Sequence, residues 1–444
     1  MKLTFLFVIL SIVDIHNICA YPNYNQLTTI NLVKRTDVAT NGTNPIDTAK
    51  LMRQSVENKY SNYKNLKTNS NATSSNISGV ASSNNGTSSN LTTTSNKTNK
   101  PTSDNSYSNN MGGQGTVYIK DTLQDQVYYT EIIVGDQKFS VFLDTGSSIL
   151  WIPNKDCTSP ACQIHNRFDS SKSSTFKSEG NKWSVKYGTG STSGVTGIDN
   201  VRIGSFTAKQ QIFGLANTVS DNFIELESDG LLGLSFEILN YMDNGAPTLI
   251  TNLINQKKIN PIFSFHFQHY YDFDDQGTFT LGGVDKSKFK GEITFNPVIP
   301  LPDYNIMAFW LINLDDASVD DSPLSFSGKC ALIDTGTTVM YLPPDDAKAI
   351  HDKIPESKLD SQNGVYIIPC DTTSVVSLKF GGVYYKIPAR DLIYLPISGT
   401  QCISSITPVQ FFSPDLWLVG LTFIKNVYSV FDVKNLKVGF AHSK

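Results

Sequence analysis

Hydrophobic and polar positions follow two different patterns on either side of residue 115. Beyond it, short apolar or alternating runs recur, bounded by Gly, Asp-Gly or Pro, a pattern typical of β-strands. These runs are Tyr128–Val134, Phe139–Leu143, Lys182–Tyr187, Ile262–Phe267, Thr278–Leu281, Lys329–Ile333, Trp417–Val419 and Val427–Phe431. Helical patterns are few and short, as at Pro247–Lys257 and Pro344–Asp352. The pattern predicts a mainly β unit over 115–444, too long for one core and therefore divided into two lobes.

The chain before residue 115 has a different composition. Between Thr68 and Asn110, 31 of 43 residues are Asn, Ser or Thr, too few apolar groups to offset the entropy of folding, so 68–114 is predicted to be a disordered linker. Glycosylation sequons begin at Asn41, Asn71, Asn76, Asn85, Asn90 and Asn96. Residues 21–67 contain a strand-like run ending at Val33 and a helical pattern around Leu51 and Val56, but they are too few to form a core.

The first 20 residues resemble a secretory signal peptide. Lys2 supplies the positive charge, Leu3 to Val13 the apolar stretch and Ala20 the small residue before cleavage. A short buried helix is the alternative. Secretion would permit disulfides, and removal of Cys19 would leave five of the six cysteines, so one should be free.

Charge and hydropathy exclude several classes of partner. The 36 basic and 40 acidic residues give a net charge of −4, and no stretch is dense in Lys or Arg. No run reaches the ~18 apolar residues that cross a bilayer. We therefore expect a protein that binds neither nucleic acid nor membrane. We also expect a monomer.

An internal repeat relates the two halves of the β unit. Asp144-Thr-Gly-Ser-Ser148 and Asp334-Thr-Gly-Thr-Thr338 each follow three apolar residues. Two large apolar residues and a glycine recur downstream: Gly233 lies 89 positions after Asp144, and Gly420 lies 86 after Asp334. Two copies with the same downstream signal predict two related lobes.

The repeated element suits acid–base chemistry. An aspartate at the end of a buried strand needs hydrogen-bond donors, which the loops at Gly146 and Gly336 and the hydroxyls of Ser147 and Thr338 can supply. If the loops meet, two carboxylates about 3 Å apart cannot both ionise easily. One can then take a proton from water while the other donates to a substrate carbonyl, without a metal or cofactor. Two unrelated surface turns are the alternative.

With these motifs the sequence resembles the pepsin-like aspartic proteases over residues 117–444. The motifs are Asp144-Thr-Gly-Ser-Ser-Ile-Leu-Trp151, Tyr187-Gly-Thr-Gly-Ser-Thr-Ser-Gly194, Asp229-Gly-Leu-Leu-Gly-Leu234, Leu281-Gly-Gly-Val-Asp285, Asp334-Thr-Gly-Thr-Thr338 and Val430-Phe-Asp-Val433. The resemblance implies a bilobal, mainly β fold with the active-site cleft between an N-terminal lobe, 115–290, and a C-terminal lobe, 291–444. Leu421 departs from the family, which commonly has Asp there.

The resemblance also implies roles for individual residues. Asp144 and Asp334 would be the catalytic dyad, and Thr145 and Thr335 would cross-link their loops. Tyr187, Gly188 and Thr189 would belong to a flap over the cleft, with Trp151 bonding the tyrosine hydroxyl and Phe223 in the S1 wall. Tyr187 beside a hairpin turn, Trp151 in the core and Phe223 in the core are the alternatives. Disulfides Cys157–Cys162 and Cys370–Cys402 are implied, leaving Cys330 free.

Two other clusters have less specific interpretations. Cys157, Cys162 and His165 could be read as metal ligands, but the sequence offers no fourth ligand nearby. His266, His269, Asp272, Asp274 and Asp275 could hold a cation, but a strand followed by a solvated hairpin tip is favoured.

We therefore predict a secreted aspartic endopeptidase, with an acidic vacuole as the alternative location, that acts on polypeptides. Residues 21–67 resemble the family's inhibitory prosegment, and Lys34 or Arg35 is the candidate partner of the dyad. A dibasic processing site at the same pair is the alternative. An inactive pepsin-like peptide-binding protein and a glycosylated wall protein are the other classes considered.

Overall fold

A computed structural model of the chain describes residues 44–47, 49, 53, 112–122, 124–187, 190–240, 242, 246–272, 275–301, 305–411 and 413–444. Several predictions fall outside these residues: the signal peptide, Lys34-Arg35, most of the prosegment, nearly all of the Asn/Ser/Thr-rich tract, its sequons and Asn41, and Gly188-Thr189.

The first half of the β unit contributes eleven strands. They are β1 (Gly115–Tyr118), β2 (Lys120–Thr122), β3 (Val127–Val134), β4 (Gln137–Asp144), β5 (Leu150–Pro153), β6 (Lys177–Lys186), β7 (Ser191–Ile203), β8 (Phe206–Val219), β9 (Gly230–Gly233), β10 (Ile262–His266) and β11 (Thr278–Leu281). Five of them, β3, β4, β6, β10 and β11, contain runs that the pattern predicted, whereas the two longest, β7 and β8, were not predicted. The mainly β prediction for this half is confirmed.

The second half contributes the remaining strands of the described chain. They are β12 (Phe289–Pro297), β13 (Leu311–Leu314), β14 (Asp316–Val319), β15 (Ser322–Pro323), β16 (Lys329–Ile333), β17 (Met340–Leu342), β18 (Lys358–Asp360), β19 (Val365–Pro369), β20 (Val376–Phe380), β21 (Val383–Ile387), β22 (Ile393–Pro396), β23 (Gln401–Ser404), β24 (Ile406–Pro408), β25 (Leu416–Val419), β26 (Val427–Asp432) and β27 (Lys437–Ser443).

Helices in the described residues are short. In the β unit they are α1 (Pro160–Ile164), α2 (Leu249–Asn255), α3 (Pro344–His351), α4 (Ala389–Leu392) and α5 (Leu421–Ile424), with 3-10 turns at Ser170–Lys172, Asp221–Glu225 and Glu237–Leu239. The Thr248 side chain accepts from Thr251 N and so begins α2, and Pro344 occupies the first turn of α3, where its missing N–H costs nothing.

The repeat seen in the sequence becomes a repeat of sheet topology. The order β3-β4-β9-β5-β8 in an eight-stranded sheet matches β13-β16-β25-β17-β24 in a five-stranded sheet. In both, the strand before the aspartate pairs in parallel with the downstream strand, β4 with β9 and β16 with β25. Such strands are covered on both faces, and all four residues of β25 are buried. The expected two related lobes are therefore supported by equivalent pairings.

A six-stranded sheet joins the halves, in the order β1-β11-β10-β26-β27-β12. Phe263 of β10 stacks on Phe431 of β26 with ring centroids 4.9 Å apart, and Trp310 lies 5.2 Å from the same ring. The apolar core is thus continuous between the halves. The division at residue 290 stays a prediction, since β12 runs across it. Two further sheets, β15-β14-β20-β21 and β18-β19-β23-β22, complete the second half.

Candidate active site

The two predicted aspartates lie at the ends of buried strands. Asp144 is the last residue of β4 and pairs with Gly233 of β9. Asp334 directly follows β16, whose Ile333 pairs with Val419 of β25. Both aspartate side chains have 0% exposure. The downstream apolar-apolar-glycine repeats are therefore the strands that support the aspartates.

The loop after β4 gives the Asp144 carboxylate two donors. Gly146 N donates to Oδ1 over 2.8 Å and Ser147 Oγ donates to Oδ2 over 2.5 Å. Hydrogen bonds of this kind favour the ionised form of a carboxyl group. They allow a buried aspartate that would otherwise be costly.

The second loop repeats this arrangement, with one correction to the sequence prediction. Gly336 N donates to Asp334 Oδ1 over 2.8 Å, and the hydroxyl on Oδ2 belongs to Thr337, at 2.6 Å. Thr338, which was expected to supply this hydroxyl, instead donates to Gln126 O over 3.1 Å. Thr337 occupies the same third position after the aspartate as Ser147, so the loop geometry selects it.

Each carboxylate lies against the glycine of the opposite loop. A Cβ built on Gly146 would be 2.6 Å from Asp334 Cγ, and one on Gly336 would overlap the Asp144 carboxylate. A side chain at either position would therefore displace an aspartate. This close approach explains the glycines and brings the two carboxyl groups together, as the sequence predicted.

Two threonines connect the loops. Thr145 N donates to Thr335 Oγ1 over 3.0 Å and Thr335 N donates to Thr145 Oγ1 over 2.9 Å. The hydroxyls in turn donate across the interface, Thr145 to Ile333 O at 2.9 Å and Thr335 to Leu143 O at 2.8 Å. The cross-link expected from the resemblance is present.

Tyr187 lies at the end of the β6–β7 hairpin. Its N donates to Gly190 O over 2.8 Å across the turn. Its hydroxyl accepts from Trp151 Nε1 over 2.8 Å, so the expected partnership is present. Gly188 and Thr189 lie between these ends, outside the described residues, and their roles stay predictions.

Phe223 belongs to the same apolar cluster. It lies on the 3-10 turn Asp221–Glu225, with its ring centroid 5.2 Å from Trp151 and 6.2 Å from Tyr187. It is only 5% exposed. It therefore packs beside Tyr187, and both the S1 and the core interpretations fit this position.

The cysteines follow the family pattern. Cys157 and Cys162 form one disulfide, and Cys370 and Cys402 form the other. Because the two sulfurs of the first pair are bonded to each other, they are not thiolate ligands of a metal. Cys330 is free and buried, and burial raises the pKa of its thiol to about 12, so it is a poor nucleophile.

Within the predicted histidine and aspartate cluster, His266 and Asp275 form a network with Lys288. His266 ends β10, and its Nε2 lies 2.5 Å from Asp275 Oδ2. Lys288 Nζ lies 2.7 Å from the other oxygen of Asp275. Burial lowers the pKa of His266. Asp274 lies outside the described residues.

Sequence reasoning missed a second buried network. Lys425 Nζ, 5% exposed, lies 3.3 Å from Asp125 Oδ2 and 2.9 Å from Asp391 Oδ1. His269 Nδ1 is 3.8 Å from Asp125, and the carboxylates of Asp125 and Asp391 with this ring nitrogen could group around a cation. The ammonium of Lys425 supplies that positive charge. A lysine inside the apolar run 421–431 was the available signal, because lysines are rarely buried without a partner.

A short part of the predicted prosegment contacts the second half. Residues 45–47 and 49 are helical. Ala49 is buried and Ile46 packs against the same apolar cluster, which includes Leu301 and Phe411. Arg53 Nη1 donates to Gly364 O over 3.4 Å.

Within the described residues no helix is long and apolar enough to cross a bilayer.

Comparison with known proteins agrees with this site. The family model for eukaryotic aspartyl protease matches residues 127–443. The chain therefore belongs to the eukaryotic aspartyl protease family, and the predicted resemblance and fold class are confirmed.

Named relatives fall into the same family. A probable aspartic-type endopeptidase CTSD of Arthroderma benhamiae is 37% identical over 350 residues, which cover 77% of this chain and 66% of the relative. A probable vacuolar protease A of the same organism is 35% identical, covering 73% and 80%. Embryonic pepsinogen of Gallus gallus is 35% identical, covering 71% and 80%. The match to the first relative spans just under two thirds of that relative's length.

Proposed function

We propose that this protein is an aspartic endopeptidase with Asp144 and Asp334 as its catalytic dyad. The observation that carries the proposal is the back-to-back arrangement of the two aspartate loops, in which each carboxylate lies against the glycine of the other loop. Family membership supports the same reaction class.

The proposed mechanism uses a water molecule between the two carboxyl groups. Two carboxylates this close share one proton, so one is ionised and the other is protonated. The ionised carboxylate takes a proton from water as its oxygen attacks the peptide carbonyl carbon, and the protonated one donates to the carbonyl oxygen. The carboxyl group that took the water proton passes it to the amide nitrogen, the other carboxylate takes back the proton of a diol hydroxyl, and the C–N bond breaks. The bonds from Ser147 and Thr337 would hold each carboxylate during these transfers.

The proposed substrates are extended polypeptides with large apolar residues on both sides of the scissile bond. The buried aromatic cluster of Trp151, Tyr187 and Phe223 supports this preference. In this proposal Tyr187, Gly188 and Thr189 form the flap that covers the substrate, and Trp151 holds the tyrosine.

The protein is proposed to be made as a zymogen. Its upstream segment 21–67 would occupy the cleft at neutral pH, and the packing of Ile46 and Ala49 on the second half supports a docked segment. As pH falls, carboxylates that hold the segment become protonated and it is released. The proposed location is extracellular. An acidic vacuole is the alternative, since one relative is named a probable vacuolar protease A.

The test is acid incubation of the full chain, followed by a peptidase assay and N-terminal sequencing. We expect activity that pepstatin blocks and a metal chelator leaves unchanged, with a mature N terminus between Thr68 and Thr116. A mature N terminus at Thr36 would instead support dibasic processing.

The dyad itself is tested by Asp144→Asn and Asp334→Asn. Either change removes the shared proton and should reduce turnover to below a few per cent while the protein remains folded. Asp199→Asn is the matched control, because Asp199 is a buried aspartate bonded to Ser173 and Thr175 outside the site. It should lower stability and retain kcat. Substantial turnover by either dyad variant would refute the assignment.

A further inference from the structure

His165 connects two segments of the first half through both of its ring nitrogens. It directly follows α1, whose Cys162 is bridged to Cys157. Its Nδ1 lies 2.7 Å from Ala161 O, and its Nε2 lies 2.7 Å from Leu226 O. The contact of Nε2 spans 61 positions of the chain, so it is a tertiary contact rather than a local turn.

The two partners constrain the protonation of the ring. Carbonyl oxygens only accept hydrogen bonds, whereas a neutral imidazole has a single N–H. The imidazolium alone can donate to both Ala161 O and Leu226 O. A neutral His165 would leave one nitrogen lone pair facing a carbonyl oxygen at 2.7 Å, so that one contact must open.

The contacted carbonyl belongs to the turn that carries Phe223. Leu226 is buried and directly follows the 3-10 turn Asp221–Glu225, and its N donates to Phe223 O over 3.4 Å. Phe223 packs against Trp151 and Tyr187. A displacement of Leu226 would therefore be transmitted to the aromatic cluster beside the flap.

Charged residues occur on the segments that pack around α1. The segment 155–167 carries Lys155, Asp156 and Arg167, and the segment 221–229 carries Asp221, Glu225, Glu227 and Asp229. β8, which also packs on α1, carries Lys209. Asp229 Oδ1 accepts from Asn166 N over 2.7 Å, next to His165 in the chain.

We propose that His165 is a positioning residue whose protonated ring holds the 221–226 turn, and with it the Phe223 wall of the substrate cleft. The proposal rests on the proposed endopeptidase function. It predicts that substrate binding strengthens as the ring gains its second proton, while the chemical step at the dyad is unaffected.

The first test is independent of activity and uses the full chain with ¹⁵N-labelled histidine. The sequence has six histidines, and His165→Gln assigns the signal of interest. We expect His165 to carry protons on both nitrogens in acid, and the Leu226 carbonyl ¹³C shift to change with the same midpoint as the ring. A ring that stays singly protonated from pH 4 to 7, or a Leu226 shift unrelated to it, would overturn the proposal.

The second test is the pH dependence of KM for an apolar peptide, measured on acid-activated full chain. For the wild type, KM should rise about three- to tenfold as pH passes the midpoint of the His165 titration, the size expected for the net loss of one hydrogen bond. The side chain in His165→Gln can donate only from its amide nitrogen and has no titratable group. The KM of this variant should already be raised at acid pH and should not rise further at the His165 midpoint. Its kcat should be retained.

His442→Gln is the matched control, because His442 is an exposed histidine on β27. It should retain the wild-type KM profile. A KM step that persists in His165→Gln would refute the positioning role. If His165→Gln does not fold, agreement between the wild-type KM midpoint and the ring midpoint decides the question. Absence of any peptidase activity in the wild type would refute the proposed function and leave the protonation test standing.

Discussion

Thr145 and Thr335 exchange hydrogen bonds between the two aspartate loops, the backbone N–H of each donating to the hydroxyl of the other over 3.0 and 2.9 Å. Each hydroxyl also donates its own proton to a carbonyl of the opposite half. Both hydroxyls therefore donate and accept, and neither loop can shift without breaking bonds to the other. The separation of the carboxyl groups depends on this pair.

Replacing Thr335 by Val keeps the shape of the side chain but removes both bonds of its hydroxyl. Because Thr145 N and Leu143 O would be left buried without this partner, we expect the free energy of unfolding to fall by about 1–3 kcal/mol. We also expect kcat to fall about tenfold or more, since the loops lose their alignment. Chemical denaturation and steady-state kinetics measure the two effects.

Thr335→Ser is the matched control, because it keeps the hydroxyl and should keep most of the turnover. Wild-type kcat in Thr335→Val would contradict the alignment role even if stability fell.

Removing the hydroxyl of Tyr187 should affect both catalysis and folding stability. In Tyr187→Phe the Trp151 N–H loses its acceptor, and we expect kcat/KM to fall about two- to tenfold, as for one neutral hydrogen bond. Tyr129→Phe is the control, since its hydroxyl donates to Glu227 on an exposed surface. Equal losses in the two variants would argue against a specific role for Tyr187.

Cleavage after lysine should be poor. Some fungal members of the family carry Asp at the position of Thr189 and accept Lys before the scissile bond, whereas Thr189 has no charge to pair with an ammonium. Peptides with Lys or Leu at that position, compared by kcat/KM at acid pH, test this expectation. Thr189→Asp should improve cleavage after Lys selectively. Efficient cleavage of Lys–apolar peptides by the wild type would show the expectation to be wrong.

Stability should fall as pH rises because of Asp121. Its pKa is raised well above the ordinary value, first by burial and then by the Asp125 carboxylate. The folded state thus binds the proton more tightly than the unfolded state. The stabilisation that comes from this tighter proton binding is complete below about pH 3.9, the ordinary pKa of aspartate. As pH rises from there to the folded-state pKa, it decreases by at most about 1.4 kcal/mol per pH unit. Asp121→Asn should flatten this decline, as measured by denaturation between pH 4 and 7.

Asp169→Asn provides a control of opposite sign. The pKa of Asp169 is lowered to about 2, first by its hydrogen bond with Lys155. Its contribution is present above the ordinary pKa and is lost only as pH falls towards 2. The slope between pH 4 and 7 should therefore match the wild type, and a slope in Asp121→Asn equal to that of Asp169→Asn would exclude Asp121 as the cause.

The sequence by itself determined the local elements of the site. An apolar strand, Asp-Thr-Gly and a second apolar strand form a loop whose N–H groups reach the aspartate, because the residue types and their spacing are local. The repetition of this element, together with the downstream glycines, was sufficient to predict two related halves. The motifs that carried the family resemblance also placed Tyr187 and Trp151 correctly as partners.

The tertiary structure decided which groups meet. Each loop offers hydroxyls at two successive positions, and the prediction of Thr338 did not use the alignment of Thr337 with Ser147 in the repeat. The folded loop turns Thr337 towards Asp334 and Thr338 towards Gln126. The contact of Lys425 with Asp125 spans 300 positions, and that of His165 with Leu226 spans 61. Such contacts depend on how sheets and turns pack, and neither residue's own neighbourhood in the sequence records which carboxylate or carbonyl lies opposite it.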